Sequence, residues 1–221
     1  MTTLTSAPLS TLLQRLFAEA EQTEAAFRAE RARLSPAERA ARSGTSADYK
    51  TLYLTHAKEV YLAVSRETAT LLYMLGRSMK ARSVVEFGTS FGISTLHLAA
   101  AVKDNGGGRV IGSEFEPSKV TRARENMVAG GVANFVDIRA GDALETLSRD
   151  LPDAIDLVLL DGAKSLYAPV LAMLAPRLRS GAMIVADNAD MSPDYLSVVR
   201  APGSGYLSVP IASDVDLTMK I

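Results

Sequence analysis

The chain has 221 residues, 48% apolar and 22% charged, with a formal net charge of −1. That is enough chain to bury a core, its composition excludes a fibrous or disordered protein, and its charge gives no long-range pull toward nucleic acid or acidic membranes. The absence of cysteine excludes disulfides, a thiolate zinc site and a thiol nucleophile.

Met1 to Ser10 lacks the basic start and apolar core of a secretion signal. No apolar run reaches the roughly 18 residues of a membrane-spanning helix. A cytoplasmic protein is the expectation, read most simply as one domain with an appendage.

Residues 1 to about 80 read as helical. Leu12, Leu13, Leu16, Phe17, Ala20 and Phe27 recur at helical spacing, and a charged stretch follows to Arg42. Gly44, Thr45 and Ser46 break the pattern, and a second helical stretch is expected from Asp48 to Tyr61. Ser65 is a good N-cap for a third, with Ala69, Leu72, Tyr73 and Leu75 on its apolar face.

From Ser83 the texture changes. Apolar runs at Ser83–Phe87, Arg109–Glu114, Phe135–Arg139, Ile155–Leu160 and Ala182–Ala186 alternate with helical segments at Ile93–Val102, Pro117–Ala129, Ala143–Ser148 and Tyr167–Leu178. Such alternation predicts an α/β fold, with a mostly parallel sheet covered by helices on both faces. The ending differs, because only a short turn separates Tyr206–Val209 from Asp216–Lys220. Those two segments are expected to pair as an antiparallel hairpin, making seven strands. Gly106–Gly108 reads as a flexible turn.

The first strand runs into Gly88-Thr89-Ser90-Phe91-Gly92 before a helix. A glycine turn there lets a ligand approach the backbone and the helix N-terminus. It lacks the dinucleotide pattern G-x-G-x-x-G and the G-K-[ST] of a phosphate loop. It does match the hydrolase nucleophile elbow G-x-S-x-G at Ser90, but that chemistry needs a histidine late in the chain. The only histidines are His56 and His97, and neither is so placed.

The second strand delivers Glu114, at the position where an acid receives ribose hydroxyls in nucleotide-binding sheets. A solvated strand end is the plainer alternative. Two further strands end in Asp161-Gly162-Ala163-Lys164 and Asp187-Asn188. If these strands are neighbours, their ends lie about 5 Å apart. Asp161, Asp187 and Asn188 would then offer three oxygen ligands suited to a hard ion such as Mg²⁺. Lys164, beside such an ion, is suited to act as a base. Strand-end aspartates also serve as helix caps and isolated lysines as surface groups, so spacing alone leaves both readings open.

Taken together, these segments resemble the catechol O-methyltransferase-type family of metal- and S-adenosylmethionine-dependent enzymes. The resemblance runs from about Val64 to the end. It is carried by Val-Glu-Phe-Gly-Thr-Ser-Phe-Gly-Ile-Ser at 85–94, Glu-Phe-Glu-Pro at 114–117, Gly-Asp-Ala at 141–143, Leu-Asp-Gly-Ala-Lys at 160–164 and Ala-Asp-Asn at 186–188.

The family's Rossmann-like methyltransferase fold implies a helical extension at 1–62, as a cap or dimerisation element, and a cofactor-binding domain at 63–221. By the same resemblance, Val64, Glu86, Gly88, Ser94, Glu114, Phe115, Asp142, Ala143 and Asp161 surround S-adenosylmethionine. Asp161, Asp187 and Asn188 hold Mg²⁺, or another hard cation such as Mn²⁺ or Ca²⁺, and Lys164 is the general base. The implied acceptor is a small molecule with vicinal hydroxyls, and the implied assembly is a homodimer, with neither nucleic acid nor membrane as partner. Two departures bear on the acceptor: Gly162 and Ala163 stand where many relatives carry bulkier groups, and Ala189 to Gly205 contains no tryptophan. A metal-independent methyltransferase and a catalytically silent cofactor-binding protein are the competing readings.

Overall fold

In the computed structural model, which describes residues 1–35, 37–38, 54 and 57–221, the apolar runs become the strands of one sheet. They are β1 (Ser83–Phe87), β2 (Arg109–Glu114), β3 (Val136–Ala140), β4 (Ile155–Leu160), β5 (Leu178–Ala186), β6 (Tyr206–Pro210) and β7 (Asp216–Lys220). Their order is β3-β2-β1-β4-β5-β7-β6. The first five are parallel, and β7 pairs antiparallel with both β5 and β6.

The helices are α1 (Leu9–Arg33), α2 (Arg66–Ser78), α3 (Ile93–Asp104), α4 (Pro117–Ala129), α5 (Ala143–Thr146), α6 (Tyr167–Leu174) and α7 (Pro193–Val199). Strand residues alternate between two cores, as a period of two requires. Val84, Val110, Leu157, Leu159 and Val185 pack under α1, α2, α3 and α4. Val85, Ile111, Val158, Leu160 and Ile184 pack under α5, α6 and α7. Central strands covered on both faces read as continuous apolar runs for this reason.

The N-terminal helix shares the first core. Leu9, Leu12, Leu13, Leu16, Phe17 and Ala20 of α1 are all buried there. A large apolar side chain contributes about 1.5–3 kcal/mol when buried, so this stripe fixes α1 onto the sheet domain. Ser65 caps α2 as expected, its Oγ accepting from Thr68 N at 2.9 Å.

Several boundaries differ from expectation: the helix expected at Tyr167–Leu178 ends at Leu174, with Leu178 already in β5, and the one expected at Ala143–Ser148 ends at Thr146. β3 starts at Val136 because Ala133–Phe135 forms a 3₁₀ turn. β5 starts at Leu178, well before Ala182, with a register irregularity that Gly181 accommodates at φ +76°. The segment 189–205 is not a plain loop, since it contains α7. The expected break at Gly44–Ser46 lies outside the described residues, as does most of the helix expected from Asp48. The described end of that helix, 57–61, is turn and irregular chain. No helix among the described residues is long and apolar enough to cross a membrane.

Candidate active site

The parallel strands all point their C-terminal ends to one edge of the sheet, where crevices bind ligands in such folds. The β1–α3 loop is built there from residues that tolerate left-handed backbone. Gly88 has φ +97°, and a Cβ on it would lie 2.4 Å from the Asp161 carbonyl oxygen. Ser90 also has positive φ, at 47°. Its N–H donates to Glu114 Oε2 at 2.7 Å, and its hydroxyl donates to the Tyr61 carbonyl oxygen. The Ser90 hydroxyl thus donates to the backbone, and the side chain against it is that of Lys119, which donates to it at 3.3 Å. His97 is buried in α3 with Nδ1 on the Ile93 carbonyl oxygen at 2.8 Å, and His56 lies outside the described residues. A serine hydrolase has no support among the described residues.

Glu86 turns inward beneath the loop. It is completely buried and accepts from Ser94 Oγ at 2.6 Å, Thr95 Oγ1 at 2.5 Å and Thr89 Oγ1 at 2.9 Å. Burial raises its carboxyl above the ordinary value, and the three hydroxyls oppose that rise. Val64 and Ser94 line a narrow recess beside the loop, shared with Gly88 and Asp161.

The main cavity, about 510 Å³, opens in front of the loop. Gly88, Glu114, Phe115, Asp142 and Ala143, at or just after the ends of β1, β2 and β3, line one end of it. Glu114 is fixed there by its second oxygen, which accepts Glu116 N–H at 2.8 Å. Asp142 caps α5, accepting Leu144 N–H at 3.0 Å. Asp161, Lys164, Asp187 and Asn188 line the other end. They meet because β4 and β5 are neighbours: Leu160 pairs with Ala186, and Asp187 N–H donates to the Leu160 carbonyl at 3.0 Å.

This second end is electrostatically crowded. Burial pushes the Asp161 carboxyl up to about 6, with Lys164 opposing the shift. Burial, and then the charge of Asp161, push Asp187 up to about 7. Lys164 Nζ lies 3.2 Å from Asp161 Oδ1 and donates to Tyr167 OH at 2.7 Å. Tyr167 OH in turn donates to the Asp187 carbonyl oxygen at 2.7 Å. Asn188 sits in left-handed conformation with its amide nitrogen 3.4 Å from Asp214 Oδ2. No group of three or more His, Cys, Asp or Glu residues is arranged for a metal among the described residues. The converging set is two carboxylates and one amide, an oxygen donor set that fits a hard divalent cation.

Three contributors are absent from the sequence reading. Tyr167 joins the Lys164 turn to Asp187, and its only sequence signal is its place three residues after Lys164. Lys119 is buried against the loop, with Nζ donating to the Val60 carbonyl at 2.8 Å and lying 3.3 Å from Ser90 Oγ. Burial lowers its ammonium below the ordinary lysine range. The far half of α1 also reaches the cavity through Glu24, Phe27, Arg28 and Arg31, residues whose shared helical face is readable from their spacing but whose place over the cavity is not.

Residues 85–189 match the family described as a methyltransferase domain. A catechol O-methyltransferase of Mycobacterium tuberculosis is 35% identical over 127 residues, covering 58% of this chain and 57% of that relative. A catechol O-methyltransferase of Niastella koreensis is 30% identical over 130 residues, covering 58% of each. The chain thus spans less than two thirds of the length of these relatives. Among solved structures, cofactor-bound Rv0187 from MTB has a TM-score of 0.66 at 28% identity, over 72% of this chain and 81% of its own. An O-methyltransferase from Bacillus cereus in complex with SAH shares the fold, with a TM-score of 0.66 at 19% identity over 80% and 91%. Residues 85–189 thus match a methyltransferase domain, and over 58% of its length the chain is similar to two relatives named catechol O-methyltransferase.

Proposed function

We propose that the protein transfers a methyl group from S-adenosylmethionine to one of two vicinal hydroxyls on a small acceptor, with a divalent cation and Lys164 as general base. The observation that carries this reading is the convergence of Asp161, Lys164, Asp187 and Asn188 on the cavity whose other end is lined by Gly88, Glu114 and Asp142. When bound, S-adenosylmethionine supplies an electrophilic methyl group, and a cation held by Asp161, Asp187 and Asn188 makes the acceptor hydroxyls more acidic.

The chain's own residues do the rest. Glu114 and the Gly88 turn hold the donor at one end, and the Lys164 turn faces the acceptor at the other. Lys164 Nζ would take the hydroxyl proton, leaving the acceptor oxygen free to receive the methyl group while the carbon–sulfur bond of the donor breaks and S-adenosylhomocysteine leaves. Asp161 Oδ1 and Tyr167 OH, already within hydrogen-bond distance of Nζ, stabilise the ammonium so formed. Positioning two reactants in one cavity removes much of the entropic barrier to their encounter.

Labelled-methyl transfer to catechol tests the reading with Mg²⁺, with Mn²⁺ or Ca²⁺, and with a chelator. Transfer that requires the cation is the expected result. Undiminished transfer in the chelator would identify a metal-independent methyltransferase instead. Cofactor binding without transfer to any vicinal diol would mark a silent binding protein.

A further inference from the structure

Helix α1 changes character along one face. Its first half presents Leu9, Leu12, Leu13, Leu16, Phe17 and Ala20 to the core. At 1.5 Å per residue, the helix then continues about 16 Å from Ala20 to Arg31. Along that continuation Glu24, Phe27, Arg28 and Arg31 face the catalytic cavity. Their spacing of three, four and seven residues makes them a single stripe. The apolar face that anchors the helix therefore becomes a basic face where it passes over the site.

The overhang is held in place by bonds to the segment before α2 and to the first residue of that helix. Tyr61 OH donates to Glu19 Oε2 at 2.5 Å, Ala63 N–H donates to Glu24 Oε1 at 2.9 Å, and Arg66 pairs with Glu21 at 2.9 Å. The one acid of the stripe, Glu24, is thus turned toward Ala63. Arg28 forms no ion pair among the described residues. The cavity consequently has two electrostatic ends, with Asp161 and Asp187 on the strand ends and the guanidinium of Arg28 on the helix roof.

We propose that Arg28, reinforced by the charge of Arg31, binds an anionic substituent of the methyl acceptor, so that preferred acceptors carry a carboxylate, sulfonate or phosphate remote from their hydroxyls. A planar guanidinium suits a two-oxygen anion, and a charge at a cavity mouth also steers oppositely charged ligands inward. The inference rests on the methyltransferase reading for the nature of the acceptor. It makes Arg28 a specificity residue with no part in the chemistry.

The test separates the two claims. Binding of 3,4-dihydroxybenzoate and of its neutral methyl ester is measured by calorimetry on the full chain saturated with S-adenosylhomocysteine and Mg²⁺. Wild type should favour the acid by roughly three- to tenfold, and less so as salt is raised. Arg28→Ala should erase that preference while leaving affinity for the ester and for S-adenosylhomocysteine unchanged, and Arg28→Lys should keep part of it. Equal binding of acid and ester by wild type, or of neither, would overturn the inference. So would an Arg28→Ala protein that keeps the preference, or one that weakens acid and ester alike. Weaker S-adenosylhomocysteine binding in that variant would assign Arg28 to the cofactor and also overturn it. Methyl transfer to neutral catechol is scored separately, and its failure would count against the methyltransferase reading alone.

Discussion

The two ends of the cavity solve opposite problems. On the β2 side, the Glu114 carboxylate already accepts Ser90 N–H and Glu116 N–H, and Asp142 accepts Leu144 N–H. These acids are aimed by backbone donors before any ligand arrives. On the β4–β5 side, Asp161 and Asp187 are buried close together, and their carboxyls rise to about 6 and 7. At one end the acids are already engaged by backbone donors, and at the other two raised carboxyls share a single nearby lysine, Lys164. A site that binds a neutral sugar can be complete in the protein alone, whereas a site for a cation must hold repulsion in reserve.

If that division is real, substitutions at the two ends should separate binding from turnover. The largest effect is expected for Lys164→Ala, which should lower kcat by about 10²- to 10⁴-fold. S-adenosylhomocysteine affinity, read by calorimetry, should not move. Glu114→Ala should do the reverse. Losing a charged acceptor for the cofactor's hydroxyls costs about 1.5–3 kcal/mol, so cofactor affinity should weaken by roughly 10- to 100-fold while kcat at saturating cofactor stays within a few-fold. A kcat loss in Glu114→Ala as deep as that of Lys164→Ala would collapse the distinction.

The smallest effect concerns the scaffold beneath both ends. Burial lowers the His97 imidazole below its ordinary value of 6.5, with the Phe17 ring edge-on at 6.0 Å. The unfolded chain therefore takes up this proton first as pH falls. The contribution of His97 to stability should therefore fall on acidification below about pH 6.5 until the folded group also titrates, against the opposite contribution of the raised Asp161 and Asp187 carboxyls. His97→Asn should flatten that slope in urea denaturation series between pH 7 and 5. A slope identical to wild type would show that His97 does not set it.

The sheet was legible because strands buried on both faces leave continuous apolar runs, each ending at a glycine or an acid. Gly88, Glu114, Asp161 and Asp187 were found as punctuation at those ends. The early start of β5 was hidden because Arg179, Ser180 and Gly181 break its apolar pattern. Arg179 is instead secured from the neighbouring strand by Asp156, with Nε at 2.6 Å from its carboxylate. Helix α7 is short, yet Ser192-Pro193 was a readable start, with Pro193 in the first turn. What sequence could not show is direction in space. Glu86 turns beneath the glycine loop onto Thr89, Ser94 and Thr95, and Lys119 meets the loop only because α4 lies beside it. The roof over the cavity depends on where α1 leaves the core, which periodicity does not encode.

The order of the last strands has a consequence for how the chain comes together. β6 precedes β7 in sequence yet docks outside it, and only β7 touches β5. During synthesis the β5 edge therefore stays bare until residues 216–220 emerge, whatever β6 is doing. An unpaired edge with Ile184 and Val185 on its flanks is an invitation to intermolecular pairing. Asp216, which binds Ser208, Thr218 and Arg200, is the first residue of the strand that closes it. A chain truncated just before Asp216 should thus be sticky, and one that carries β7 through Lys220 should not, which makes this strand the latch of assembly.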